Sequence, residues 1–123
     1  GTNLTGDPVM GATLYASSTY GCNGCHGDKA QGGGGPNITG NMMAGIGSWT
    51  QQQFQDAVRT GKNRMGTPLC NAMVPFPESV VSNQGLADVY AFTKAQNSAD
   101  VQTGTYCPVL CTAATNKCTG SAM

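Results

Sequence analysis

Two thiols and one imidazole are packed into five consecutive positions, Cys22-Asn23-Gly24-Cys25-His26. A C-x-x-C-H run is the attachment signature of a c-type haem. Each thiol adds its S–H across one vinyl group to form a thioether. The same stretch of chain then presents the His26 imidazole to the iron as proximal ligand. A redox dithiol would have the C-x-x-C spacing without needing the adjacent histidine, and a zinc site would need further nitrogen or sulfur ligands. His26 is the only histidine, and no second C-x-x-C occurs. One motif predicts one covalent haem.

The remaining composition agrees with a chain built around a prosthetic group. It has 123 residues, which suits a single domain. It also has 18 glycines and only three Phe, four Tyr and one Trp, a poor supply for a self-sufficient core. Of six cysteines, Cys70, Cys107, Cys111 and Cys118 remain after haem attachment. An even remainder in a small chain predicts two disulfides and an oxidising compartment. The polar start at Gly1 is read as a mature form whose signal peptide has been removed. No apolar run approaches the ~20 residues of a membrane span. Charged residues make up 10% of the chain with formal net charge zero, so nothing marks a nucleic-acid-binding face. That neutrality suits a surface buried against neighbours, one exposed to acid, or simply one kept soluble by uncharged Ser, Thr, Asn, Gln and Gly.

The elements that must position the motif follow from caps and apolar spacing. Asp7-Pro8 predicts a helix start, with Val9, Met10, Leu14 and Tyr15 as apolar positions and Gly21 as the end of the segment. From Gly27 to Gly47 the chain reads as loop, including the run Gly32–Gly35. Such a run can cradle phosphate, but the Lys-Ser/Thr ending of a phosphate loop is missing, and passage close to a flat cofactor fits better. Ser48 with Gln51 resembles a capping box, followed by Trp49, Phe54, Ala57 and Val58 as the buried face and Gly61 as the stop. Residues 62–77 read as loop. Ser82 or Asn83 caps a last helix carrying Leu86, Val89, Tyr90 and Phe92. Residues 1–97 form the haem-bearing domain, and 98–123 form a cysteine-containing irregular tail packed on it and pinned by disulfides.

Together these pieces resemble the class I, monohaem cytochromes c, over about Pro8 to Lys94. The resemblance rests on the Cys22–Gly27 run, Gly35-Pro36-Asn37-Ile38, Trp49, Val58-Arg59-Thr60-Gly61-Lys62, a late Met-containing loop and Leu86–Phe92. It implies an all-α cytochrome c fold, with three main helices around one covalent haem and long Gly-rich loops. It implies that Gly11 and Phe92 meet where the first and last helices cross. The Pro36 carbonyl would receive the second imidazole N–H, fixing the ring. Trp49 would reach a haem propionate. Met73 would be the sixth ligand, although Val74 separates it from Pro75 where the family usually has Met-Pro. Met65 is its rival, and Met42 and Met43 lie in another loop able to face the haem. Arg59, Lys62, Asn63 and Arg64 form the one local basic group, near the propionates or as a solvated helix end.

The resemblance implies a one-electron carrier with His/Met ligation rather than an enzyme, working with redox partner proteins in the periplasm or outside the cell. Two alternatives remain. One is a unit of an extracellular haem assembly or filament, a homo-oligomer taking electrons from a donor such as Fe(II). The other is an open-site haem enzyme or sensor, for which the chain offers no second histidine as a distal acid or base.

Overall fold

A computed structural model describes residues 4–32, 37–43, 45–62 and 76–99, with Cys25 described by its backbone only. Within them the chain forms α1 (Pro8–Tyr15), α2 (Asn23–His26), α3 (Gln51–Thr60) and α4 (Asn83–Ala95). Three longer helices and a one-turn helix, with no strand among the described residues, agree with the expected all-α class. Pro36, Met65, Met73, Cys70, Cys107, Cys111 and Cys118 lie outside the described residues. So do Asn63, Arg64 and nearly all of the tail.

Helix α1 starts as its sequence predicts. The Asp7 carboxylate accepts from the N–H groups of Val9 and Met10, at 2.9 and 3.4 Å, and Pro8 takes the first helical position. Its buried positions are Gly11 and Tyr15, with Leu14 partly buried beside them. Val9 and Met10, expected on the apolar face, are instead exposed at 76% and 48%. The stripe that meets α4 runs through a glycine, which carries no hydropathic signal. The helix also ends at Tyr15 rather than running to Gly21. Beyond it, the Ser17 hydroxyl donates to the Leu14 carbonyl and accepts from the Tyr20 N–H, turning the chain. Gly21 then supplies a left-handed φ of +63° just ahead of the motif.

The α1–α4 packing is the closest helix contact. A Cβ on Gly11 would fall on the Asp88 carbonyl, and one on Gly6 would fall on the Ala87 carbonyl. The predicted meeting of Gly11 with Phe92 is present: that same Cβ would lie 3.0 Å from the Phe92 Cβ. The Tyr15 and Phe92 rings pack with centroids 5.1 Å apart. Asp88 is buried in this crossing, where it accepts from the Asp7 N–H and from Gln84.

Helix α3 begins two residues later than the predicted cap. Thr50 is the N-cap and forms a full capping box with Gln53. Ser48 and Gln51 have the same spacing, but the Trp49 N–H binds the Ile46 carbonyl at 2.9 Å and keeps 46–49 in a turn. Phe54, Ala57 and Val58 are buried as expected, and Gly61 closes the helix at φ +73°. Gln51 serves another purpose: its side-chain amide pairs with both backbone groups of Leu4. Ser82 caps α4 by accepting from the Gly85 N–H. Leu86 and Val89 are buried, while Tyr90 and Phe92 are partly buried against the core.

Candidate functional site

The motif is folded as a single helical turn. Cys22 has helical φ and ψ of −60° and −37°, and its carbonyl accepts the His26 N–H at 2.9 Å. Positions 22, 25 and 26 therefore stand at i, i+3 and i+4, which share one side of a helix. Cys22 packs against the edge of the core with Leu14, Tyr20, Ile38 and Phe76. Immediately after His26 the chain reverses. Gly27 has φ +86°, where a Cβ would meet the Gln31 side chain and the Gly32 carbonyl. The Gly32 N–H closes the turn on the His26 carbonyl at 2.7 Å. The Tyr15 hydroxyl donates to the Gly27 carbonyl, so α1 directly supports this turn. Ala30, fully buried, holds φ +63°, a left-handed conformation unfavourable for a residue with a Cβ. Such a conformation costs roughly 1–2 kcal/mol, and the Ile38 N–H bond to the Ala30 carbonyl at 2.9 Å helps to hold it.

Two titratable groups near the motif are displaced from their ordinary values. Burial, chiefly, pushes the Tyr20 phenol up, with the Cys22 and Asp88 charges adding to it. A thioether at Cys22 would carry no charge, so burial and the Asp88 charge are the parts that would persist in an attached state. Tyr20 reaches the start of α4, where its hydroxyl occupies the space a Gly85 side chain would need. The hydrogen bond from Gln31 holds the exposed Asp28 carboxyl below the usual range.

Trp49 follows the motif in sequence and belongs to the core against which Cys22 packs. It is only 6% exposed, and its Nε1 is buried with no hydrogen-bond partner among the described residues. An indole N–H buried without an acceptor costs roughly 1–3 kcal/mol. Such a donor fits an acceptor brought in by a prosthetic group, and a haem carries two carboxylates. The Trp49 backbone is firmly held. Its carbonyl accepts from the Tyr90 hydroxyl at 2.7 Å and from Lys94 Nζ at 3.3 Å.

A family model described as cytochrome C oxidase, cbb3-type, subunit III matches residues 6–92. The chain belongs to the class I c-type cytochromes. It carries covalently bound haem c with its iron, and haem-based electron transfer is its class of function. No curated protein matches the chain. The donor set on α2 and the orphaned indole of Trp49 both fit this cofactor. No helix among the described residues is long and apolar enough to cross a membrane.

Other site expectations for the cytochrome divide by position. Met42 and Met43 are 60% and 85% exposed, on a loop surface rather than in the core. Arg59 is occupied: its guanidinium donates to the Phe76 carbonyl at 3.1 Å and to the Asn83 side chain at 2.7 Å. The Phe76 N–H in turn binds the Val58 carbonyl at 2.9 Å. Residue 76, the first described after the stretch that carries Met65 and Met73, is thus fixed to α3 through both its backbone groups.

Sequence reasoning missed Tyr90 and Lys94 as the residues holding Trp49. It also missed a buried polar joint beside them. Asn37 and Thr39, 1% and 0% exposed, bind each other and the Ser98 carbonyl, tying the chain after α4 to the loop after the motif. The only available signal was two polar residues flanking Ile38.

Proposed function

We propose that this cytochrome is a one-electron carrier with a six-coordinate haem, held by thioethers at Cys22 and Cys25 and ligated by His26 and Met73. The observation that carries the reading is the folding of Cys22–His26 as one helical turn, whose spacing suits two vinyl additions and one iron ligand. The haem supplies an Fe(III)/Fe(II) couple. The chain's residues orient it, keep water from it and hold its charges. Pro36 is proposed to accept the second imidazole N–H, which would fix the ring, and Trp49 to donate to a propionate. On the His26 side, the Tyr15 bond to the Gly27 carbonyl and the closed turn after the motif limit reorganisation between oxidation states, as a carrier requires. The test is an equilibrium redox titration with spectra of both states. A reversible couple at positive potential with low-spin spectra is expected. A high-spin reduced form that binds carbon monoxide at once would instead establish an open-site haem.

The compartment is periplasmic or extracellular, and the partners are redox proteins or an extracellular donor or acceptor. This reading is supported by four cysteines beyond the haem pair in a small chain. Cys70 is proposed to be joined to one cysteine of the tail. Closing a loop of that length is worth roughly 3–4 kcal/mol in the chain-entropy model. Thiol titration of the unfolded, unreduced protein is expected to detect none of Cys70, Cys107, Cys111 and Cys118. A reactive Cys70 would remove the cross-link.

A further inference from the structure

Lys94 stands in the last turn of α4, and its ammonium is turned onto the 47–49 turn. Nζ donates to the Gly47 carbonyl at 2.9 Å and to the Trp49 carbonyl at 3.3 Å, and it lies 3.4 Å from the Tyr90 hydroxyl. It also sits 5.3 Å from the centroid of the Tyr90 ring. Among the described residues, every one of these partners is uncharged. A partly buried cation with neutral acceptors is solvated but not neutralised, and an anion nearby would lower its cost. The residue it grips, Trp49, carries the buried indole N–H that lacks an acceptor. At the 47–49 turn, a cation from α4 whose described partners are all neutral thus stands with a residue whose indole N–H has no acceptor among the described residues. A haem carboxylate answers both.

We infer that Lys94 is a positioning residue for the haem's propionate end, holding Trp49 by its carbonyl and supplying the charge that balances the carboxylate Trp49 receives. The inference rests on the proposed Trp49–propionate bond. Tyr90 shares the mechanical part, since its hydroxyl binds the same carbonyl at 2.7 Å, but it brings no charge. The sign of the electrostatic part is fixed. A nearby cation disfavours Fe(III), the more positive state, so it raises the reduction potential.

The experiment compares the haem-loaded full chain with Lys94→Gln, Lys94→Met, Lys94→Arg, Tyr90→Phe and Trp49→Phe at neutral pH and low ionic strength. Two quantities are read: the midpoint potential, and the exchange rate of the Trp49 indole proton by NMR in the reduced state. Lys94→Gln and Lys94→Met are expected to lower the potential and to speed indole exchange several-fold, and Lys94→Arg to restore both. Tyr90→Phe should speed exchange with a smaller change in potential. If both neutral Lys94 variants keep the parent potential while Trp49→Phe lowers it, the role of Lys94 is refuted and the Trp49 bond stands. If Lys94→Arg falls as far as Lys94→Gln, packing rather than charge is responsible, and the inference fails. A parent indole proton that exchanges freely, with Trp49→Phe at the parent potential, would refute the propionate bond and the inference with it.

Discussion

Met73→Ala is expected to lower the reduction potential and to let carbon monoxide bind the reduced iron, while Met65→Ala does neither. A thioether stabilises Fe(II) and raises the potential, and axial ligands command a span of roughly 0.8 V, so losing one moves the couple by a sizeable fraction of that. The two methionines stand equally far in sequence from a described residue. Met65 follows Lys62 by three residues, and Lys62 donates its N–H to the Thr60 hydroxyl at 3.3 Å. Met73 precedes Phe76 by three residues, and Phe76 is bound to Val58 and Arg59. Three residues of extended chain reach at most ~11 Å, so distance along the sequence from these anchors does not separate the two. The difference lies in the stronger clamp on Phe76 and in the proline that follows Met73 after one residue. Optical spectra and potentials of the two variants check the assignment. Reversed effects would move the ligand to Met65 and identify the inserted Val74 as the cause.

The parts of this cytochrome that were legible in the sequence are those determined locally. A cap is read from two or three neighbouring residues, and Asp7-Pro8, Gly61 and Ser82 all act where expected. The haem motif is likewise contained in five positions. The box at Ser48/Gln51 was displaced to Thr50/Gln53 because the stretch Ser48–Gln53 contains the same spacing twice. Only the turn made by Ile46 and Trp49 selects between them. The face of α1 was misassigned at Val9 and Met10 because close helix packing selects for the absence of a side chain, at Gly11. What could not be read is long-range. Lys94 meets Trp49 across 45 positions, and Asn37 meets Ser98 across 61, through polar groups that leave no periodic trace. Trp49 itself was singled out by family resemblance. Its buried, unpaired Nε1 adds a physical reason for that choice.

Gly11→Ala is expected to destabilise the folded protein by about 3 kcal/mol, the upper part of the usual overpacking range. The new methyl would occupy the position of the Asp88 carbonyl and press on the Phe92 Cβ, neither of which is a flexible side-chain end. Relief requires α1 to lift from α4. That movement strains the Asp7 N–H bond to Asp88 and the Tyr15–Phe92 ring contact together. The better helix propensity of alanine returns at most about 1 kcal/mol. Val9→Ala is the control, because Val9 lies on the same helix and is 76% exposed. It should change stability by less than ~0.5 kcal/mol, as surface substitutions usually do. Denaturant midpoints of the two haem-loaded variants, at unchanged m, measure the difference. A Gly11→Ala protein as stable as its parent would mean that α1 and α4 stand further apart than described. The consequence reaches the site, because α1 holds the turn after His26 through the Tyr15 bond to Gly27. Loosening the crossing should therefore weaken axial ligation before the chain unfolds globally, visible as early loss of the low-spin spectrum along the Gly11→Ala denaturation curve.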